Sequence, residues 1–121
     1  MRNQPKYNFF KNTSYALKGL KDLIQHETSF KIELIITVIL LPVIFFIDVS
    51  LIEKILLFIS LMGMLIAEAT NSAIERVVDL VTLEHHDMAG RAKDVGSTVV
   101  FLSITVFSVT WGFILLQLVS A

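Results

Sequence analysis

One amphipathic stretch and three apolar ones order the chain. Between Phe9 and His26, the residues Phe9, Thr13, Ala16, Leu17, Leu20, Leu23 and Ile24 recur at helical spacing, with Lys11, Lys18, Lys21 and Asp22 largely off that stripe. The pattern predicts an amphipathic helix over 9–26 lying in a membrane interface, its lysines reaching towards lipid phosphates. The competing reading, an ordinary surface helix, is disfavoured by the apolar runs that follow. Residues 1–8 read as a polar, frayed lead.

Leu34 to Ile47 is apolar apart from Thr37. Extended over 31–49, it reaches the roughly 20 residues that a span needs. Pro42 predicts a packing kink. A polar turn follows over 48–54, then a second span over 55–78. The third span, 95–119, holds no charged residue at all. Gly96, Ser97, Ser103, Ser108 and Gly112 give it small packing positions. Residues 82–94 connect the last two spans. The fold class expected is an all-α membrane protein: a surface helix plus three transmembrane helices, in a single domain over 1–121.

The second span breaks its own apolar rule. Glu68, Asn71, Glu75 and Asp79 fall within an arc of roughly 80° on one helical face. Ionisable groups inside a span mark a functional site by default. With Glu75 at the water boundary, Glu68 lies about 10 Å inside, at 1.5 Å rise per residue.

Composition agrees with the membrane reading. Of 121 residues, 55% are apolar, above the soluble norm of about 45–50%, and the mean hydropathy is +0.73. The net charge of -1 hides a segregated distribution. Every Lys and Arg except Lys54 lies in the N-terminal region, at Arg76 or in the 82–94 connection. The positive-inside rule therefore predicts a cytoplasmic N-terminus and an outside C-terminus. There is no cysteine, which excludes disulfides and thiolate metal sites. The first apolar run starts too late for a secretory signal peptide.

The residues along the stripe suggest chemistry. Glu68 in a low-dielectric setting suits a general base; a structural glutamate bonded between helices is the bland alternative. Glu75 and Asp79 face the same way at the mouth, where carboxylates with phosphates and water hold Mg²⁺, with Glu27 or Glu33 as a candidate companion from the surface-helix end. Asn71 would support a neighbour by hydrogen bonding. The Gly90-Arg91-Ala92-Lys93-Asp94-Val95-Gly96-Ser97 stretch offers cations beside a helix start for a phosphate, although it lacks the P-loop spacing; a positive-inside anchor fits it equally well. Phosphoryl transfer needs mainly positioning and charge neutralisation. Three helices alone were not expected to shield such a stripe, which predicts an oligomer with sites at subunit contacts.

At these residues the chain resembles the small integral-membrane bacterial diacylglycerol kinases. The carrying motif is Glu68-Ala69-Thr70-Asn71-Ser72-Ala73-Ile74-Glu75-Arg76-Val77-Val78-Asp79, close to the family's E-x-x-N-[ST]-A-I-E-x-x-V-D. The block from Glu84 to Ser97 matches too, as do Tyr15, Lys18-Gly19-Leu20, Glu27 and Glu33. The resemblance implies a homotrimer in the bacterial inner membrane that uses Mg-ATP to make phosphatidic acid from diacylglycerol. It implies Glu68 as the base on the lipid hydroxyl, and Glu27 and Glu75 as magnesium ligands. Nucleotide contacts would come from Tyr15, Glu27, Glu75, Glu84, His86, Lys93 and Asp94. Lipid contacts would come from Asn12, Lys21, Ser29, Phe30, Glu33, Phe46, Asp48, Lys54, Ser97 and Trp111, besides Glu68. One departure is Asn8, which stands where the family often has an arginine near the lipid.

Two rivals follow. Relatives of the same fold phosphorylate undecaprenol, but their loop tends to be alanine-rich around the Lys-Asp pair. Small proton-coupled multidrug transporters also use one intramembrane glutamate, but they have four spans and lack carboxylates running to the rim. No nucleic-acid partner is expected.

Overall fold

The computed structural model describes residues 6–120 as four helices and no strand. They are α1 (Phe9–His26), α2 (Thr28–Phe46), α3 (Leu51–Val81) and α4 (Asp87–Ser120). The expected surface helix is found at its expected bounds. Five of the eight lead residues lie outside the described ones. Asn8, the departure from the family pattern, is the N-cap of α1, where its Oδ1 accepts the Lys11 N–H at 3.1 Å. This satisfies one of the helix's unpaired donors.

A single residue, Glu27, separates α1 from α2. It is extended, with φ -116° and ψ 106°, and serves both as C-cap of α1 and N-cap of α2. Its N–H donates to Leu23 O, and its carbonyl accepts from Lys31 N–H. The elbow is therefore pinned on both sides. The Glu27 side chain makes no cap bond and is left for other partners. α2 then runs through Pro42, which removes one backbone donor without ending the helix.

The turn before α3 is shorter than the charge pattern suggested. Ser50 and Glu53 form a capping box: Ser50 Oγ accepts the Glu53 N–H, and the Glu53 carboxylate accepts from Ser50 N–H. Helix thus begins at Leu51, where a polar turn to residue 54 was expected. Lys54 donates through Nζ to Phe45 O at 2.9 Å, capping an orphan carbonyl at the end of α2. At the other end only residues 82–86 connect α3 to α4. Arg91, Lys93 and Asp94, expected in a connecting loop, lie on the first turns of α4. His86 Nδ1 accepts the Met88 N–H at 3.1 Å and starts that helix. Asp87 in the first turn complements the helix dipole.

α3 packs most extensively on α4, then on α2, while α1 meets α2. A core of Ile44, Leu57, Leu61, Met64, Trp111 and Ile114 joins the three longer helices. Two helices, α2 and α4, are long and apolar enough to cross a membrane. α3 has 31 residues, or about 46 Å at 1.5 Å per residue. That exceeds the roughly 30 Å hydrocarbon thickness, although α3 is less uniformly apolar than α2 and α4. Large apolar side chains lie exposed on every helix, among them Phe10, Ile39, Ile66 and Phe101. Contiguous apolar surface of this kind faces lipid or another subunit.

Candidate active site

The expected stripe is assembled on α3. Glu68 and Asn71 are each 8% exposed, Glu75 is half-buried, and Asp79 opens to solvent. One protomer therefore covers the inner half of the stripe and leaves Asp79 exposed. The cover comes from α2 and α4. Gly96 on α4 lies so close to Asn71 that a β-carbon there would collide with the Asn71 side-chain oxygen. Below that oxygen, Asn71 Nδ2 donates to Glu75 Oε1 at 3.1 Å. Gly96 seats Asn71, and Asn71 aims Glu75.

From α2, Glu33 is close enough to Glu68 for their charges to interact, and Glu27 and Glu75 act on Glu68 likewise. Glu27, Glu33 and Glu75, from the α1–α2 elbow, α2 and α3, thus place their charges within reach of Glu68. Glu33 Oε2 and Asn71 Oδ1 are buried with no hydrogen-bond partner among the described residues. Asn71 Oδ1 is closed off by Gly96, which leaves Glu33 Oε2 as the acceptor still in need of a donor.

At the mouth, Lys93 Nζ bridges to Asp79 Oδ1 at 2.7 Å and joins α4 to α3. A cleft of about 320 Å³ opens there, lined by Asp79, Glu84, His85, His86, Gly90 and Lys93 among others. Three of the expected nucleotide residues meet in it. Asp94 is exposed on α4 and does not line the cleft. Tyr15 lies on α1, with Lys18 Nζ 5.8 Å above its ring. The cap bond occupies His86 Nδ1, so Nε2 is its remaining polar atom.

An unforeseen contact sits between the elbow and the stripe. Arg76 Nε and Nη2 both donate to Glu27 Oε1, at 3.1 and 2.9 Å, and Nη1 donates to Asp22 Oδ2 at 3.0 Å. Asp22 Oδ1 takes His26 Nδ1 at 2.7 Å. The bonds from His26, then from Arg76, hold the Asp22 carboxyl below its ordinary value of 3.8. Its negative charge is present above that value and is lost only as the pH falls through the lowered one. Arg76 registered in the sequence only as one more positive-inside charge. The sole clue was an acidic pair, Asp22 and Glu27, at the end of an otherwise basic helix.

The expected lipid contacts divide into groups. Glu33 joins the carboxylates. Phe30 is buried at the floor of an apolar recess of about 490 Å³ between α1 and α3, which Arg76 closes at one end. Lys21 lies with Phe9, Phe10 and Lys18 along another α1 groove, while Asn12, Ser29 and Ser97 are exposed. Phe46, Asp48, Lys54 and Trp111 are not brought to this end. Lys54 is about 20 Å from Glu68 along α3 by helical rise. Trp111 is core, as its depth suggested: it is 6% exposed and donates to Leu57 O at 3.3 Å.

Among the described residues, no three His, Asp or Glu side chains converge as a protein-only metal cage. Mg²⁺ bound with a nucleotide needs only one or two carboxylates. Glu27 at its elbow and Glu75 on α3, both half-buried, fit that demand.

The chain is similar to known proteins over most of its length. The family model for prokaryotic diacylglycerol kinase matches residues 14–115. A diacylglycerol kinase of Haemophilus influenzae is 41% identical over 104 residues, covering 86% of this chain and 88% of the relative. One from Pseudomonas aeruginosa is 42% identical, covering 86% and 85%. An undecaprenol kinase of Bacillus subtilis is 34% identical over 99 residues, covering 80% of each.

Proposed function

The chain belongs to the prokaryotic diacylglycerol kinase family, and on that premise we propose that it transfers the γ-phosphate of ATP to the hydroxyl of diacylglycerol, giving phosphatidic acid. The observation that carries the reading is the buried Glu68 with Glu33 and Asn71 around it, on a helix that continues into a polar mouth. A lipid hydroxyl would supply the donor that the orphaned Glu33 Oε2 lacks. Glu68 takes the hydroxyl proton as the oxygen attacks phosphorus. A base reached through a half-apolar wall acts at the depth where a lipid headgroup sits.

The nucleotide lies in the Asp79–Lys93 cleft, with Glu84, His86 and Lys93 along its walls; Tyr15 on α1 and Asp94 on α4 are its further proposed contacts. Lys93 is already paired, so an incoming phosphate exchanges one anion for another at the same cation. Glu27 and Glu75 would hold the Mg²⁺, which would supply charge neutralisation at the phosphate oxygens. Asn71 keeps Glu75 aimed. The apolar recess at Phe30 lies on the lipid side of the same helices and suits an acyl chain.

The membrane arrangement belongs to this reading. α3 is the third span beside α2 and α4, with α1 in the cytoplasmic interface of the bacterial inner membrane. The homotrimer rests on the family resemblance and on the apolar side chains left exposed, since one protomer buries Glu68 alone.

A second acceptor has a specific basis, the 34% identical undecaprenol kinase. The test is direct. Purified protein in mixed micelles is given ATP and Mg²⁺ with diacylglycerol or with undecaprenol. Phosphatidic acid as the main product supports the proposal. Phosphorylation of undecaprenol alone selects the second reading, and of neither lipid removes both.

A further inference from the structure

Arg76 binds the same carboxylate oxygen twice, and Glu27 Oε1 cannot serve a divalent cation while it holds that guanidinium. Arg76 keeps its positive charge at any working pH. Two cations on one carboxylate compete for its charge, so each weakens the other's hold on Glu27. Elbow backbone bonds fix Glu27 on both sides, which leaves only side chains to re-aim. Arg76 has somewhere to go. Asp22 Oδ2 already accepts its Nη1 at 3.0 Å, and Asp22 is held from its other oxygen by His26. All three members are reachable, since Arg76, Asp22 and Glu27 side chains are 43%, 47% and 26% exposed.

We infer that Arg76 is a positioning residue that occupies Glu27 in place of the metal, and that Asp22 is the second carboxylate onto which Arg76 swings when Glu27 turns to the metal. The inference rests on the reading of Glu27 as a magnesium ligand. With nothing at the site, Arg76 joins α1, the elbow and α3. With the metal in place, Glu27 and Glu75 face it, and Arg76 stays on Asp22. Asp22 therefore favours metal binding without touching metal, and Arg76 opposes it.

The test measures Mn²⁺ binding by the paramagnetic resonance signal of the free ion, with a non-hydrolysable ATP analogue and no lipid. The full chain is used in micelles at 0.5 M salt, where through-space fields between exposed charges are short-ranged. Arg76→Gln is expected to tighten Mn²⁺ by roughly three-fold, and Asp22→Asn to weaken it by a similar factor, the scale of an exposed ion pair. The double variant decides the mechanism. With no Arg76 to park, loss of Asp22 has no further effect, so the double variant matches Arg76→Gln. A double variant back at the native affinity indicates simple additive charge and overturns the inference, as does any pair of single variants moving in the same direction. Arg76→Lys, which keeps charge but loses the fork, is expected to fall between native and Arg76→Gln; it carries the test if Arg76→Gln does not assemble. If the native chain shows no saturable Mn²⁺ site, the metal reading itself falls, and the inference with it.

Discussion

Gly96 on α4 and Asn71 on α3 meet with no space for even a methyl group between them. Asn71 is 8% exposed and its other end holds Glu75. The contact thus sets where a proposed magnesium ligand points, from a residue that has no side chain to contribute.

Gly96→Ala pushes the Asn71 carboxamide out of its seat. Overpacking of this kind costs about 1–3 kcal/mol, and a misaimed ligand slows the chemistry further. We expect a fall in kcat of about ten-fold or more, accompanied by a higher Mg²⁺ requirement. Steady-state kinetics across a magnesium titration checks it. Native kinetics in Gly96→Ala would show that Asn71 moves freely.

Glu75→Gln keeps an oxygen that can accept from Asn71 but removes the charge. Weaker magnesium dependence and a higher KM for ATP are expected, with assembly intact. An unchanged magnesium titration would count against Glu75 as a ligand.

The Lys93–Asp79 bridge is exposed on both sides, 42% and 48%, so it adds little to stability. Lys93→Met is therefore expected to leave the melting temperature within a few degrees of native and to raise the KM for ATP by about ten-fold, the scale of a charge-assisted bond. A large loss of stability with native KM would make Lys93 a structural residue.

Trp111 separates core from site. Trp111→Phe loses the bond to Leu57 O, at a cost of about 1 kcal/mol, while that carbonyl keeps its bond from Ser60 Oγ at 3.0 Å. Trp111→Ala opens the core and is expected to cost about 3–5 kcal/mol. Near-native turnover in Trp111→Phe, measured beside its thermal stability, fits a packing residue. A specific rise in KM for the lipid would return Trp111 to the lipid contacts.

The polar stripe was legible in the sequence because a period of 3.6 residues converts spacing into a face, and Glu68, Asn71, Glu75 and Asp79 share that face in the fold. The surface helix was legible for the same reason. Helix ends were not. Arg91, Lys93 and Asp94 read as a connection because they are charged, yet α4 begins at Asp87 since charges on a helix end project into water. Lys54 read as turn or lipid contact, but it caps α2. Arg76 escaped because its partners lie 49 and 54 residues away, beyond any local periodicity. The burial of Glu68 within one protomer escaped as well, because it depends on how α3 packs against α2 and α4, which spacing within α3 does not show.

The central claim is that Glu68 takes the proton of the lipid hydroxyl. Glu68→Gln keeps shape and hydrogen bonding but cannot act as a base. The most direct measurement is kcat of Glu68→Gln on diacylglycerol in mixed micelles, with the assembly state verified by elution. The account predicts an assembled protein whose kcat falls by about 10²–10⁴-fold, the range of general-base catalysis. A kcat near native would contradict it and make Glu68 a structural residue of the helix packing.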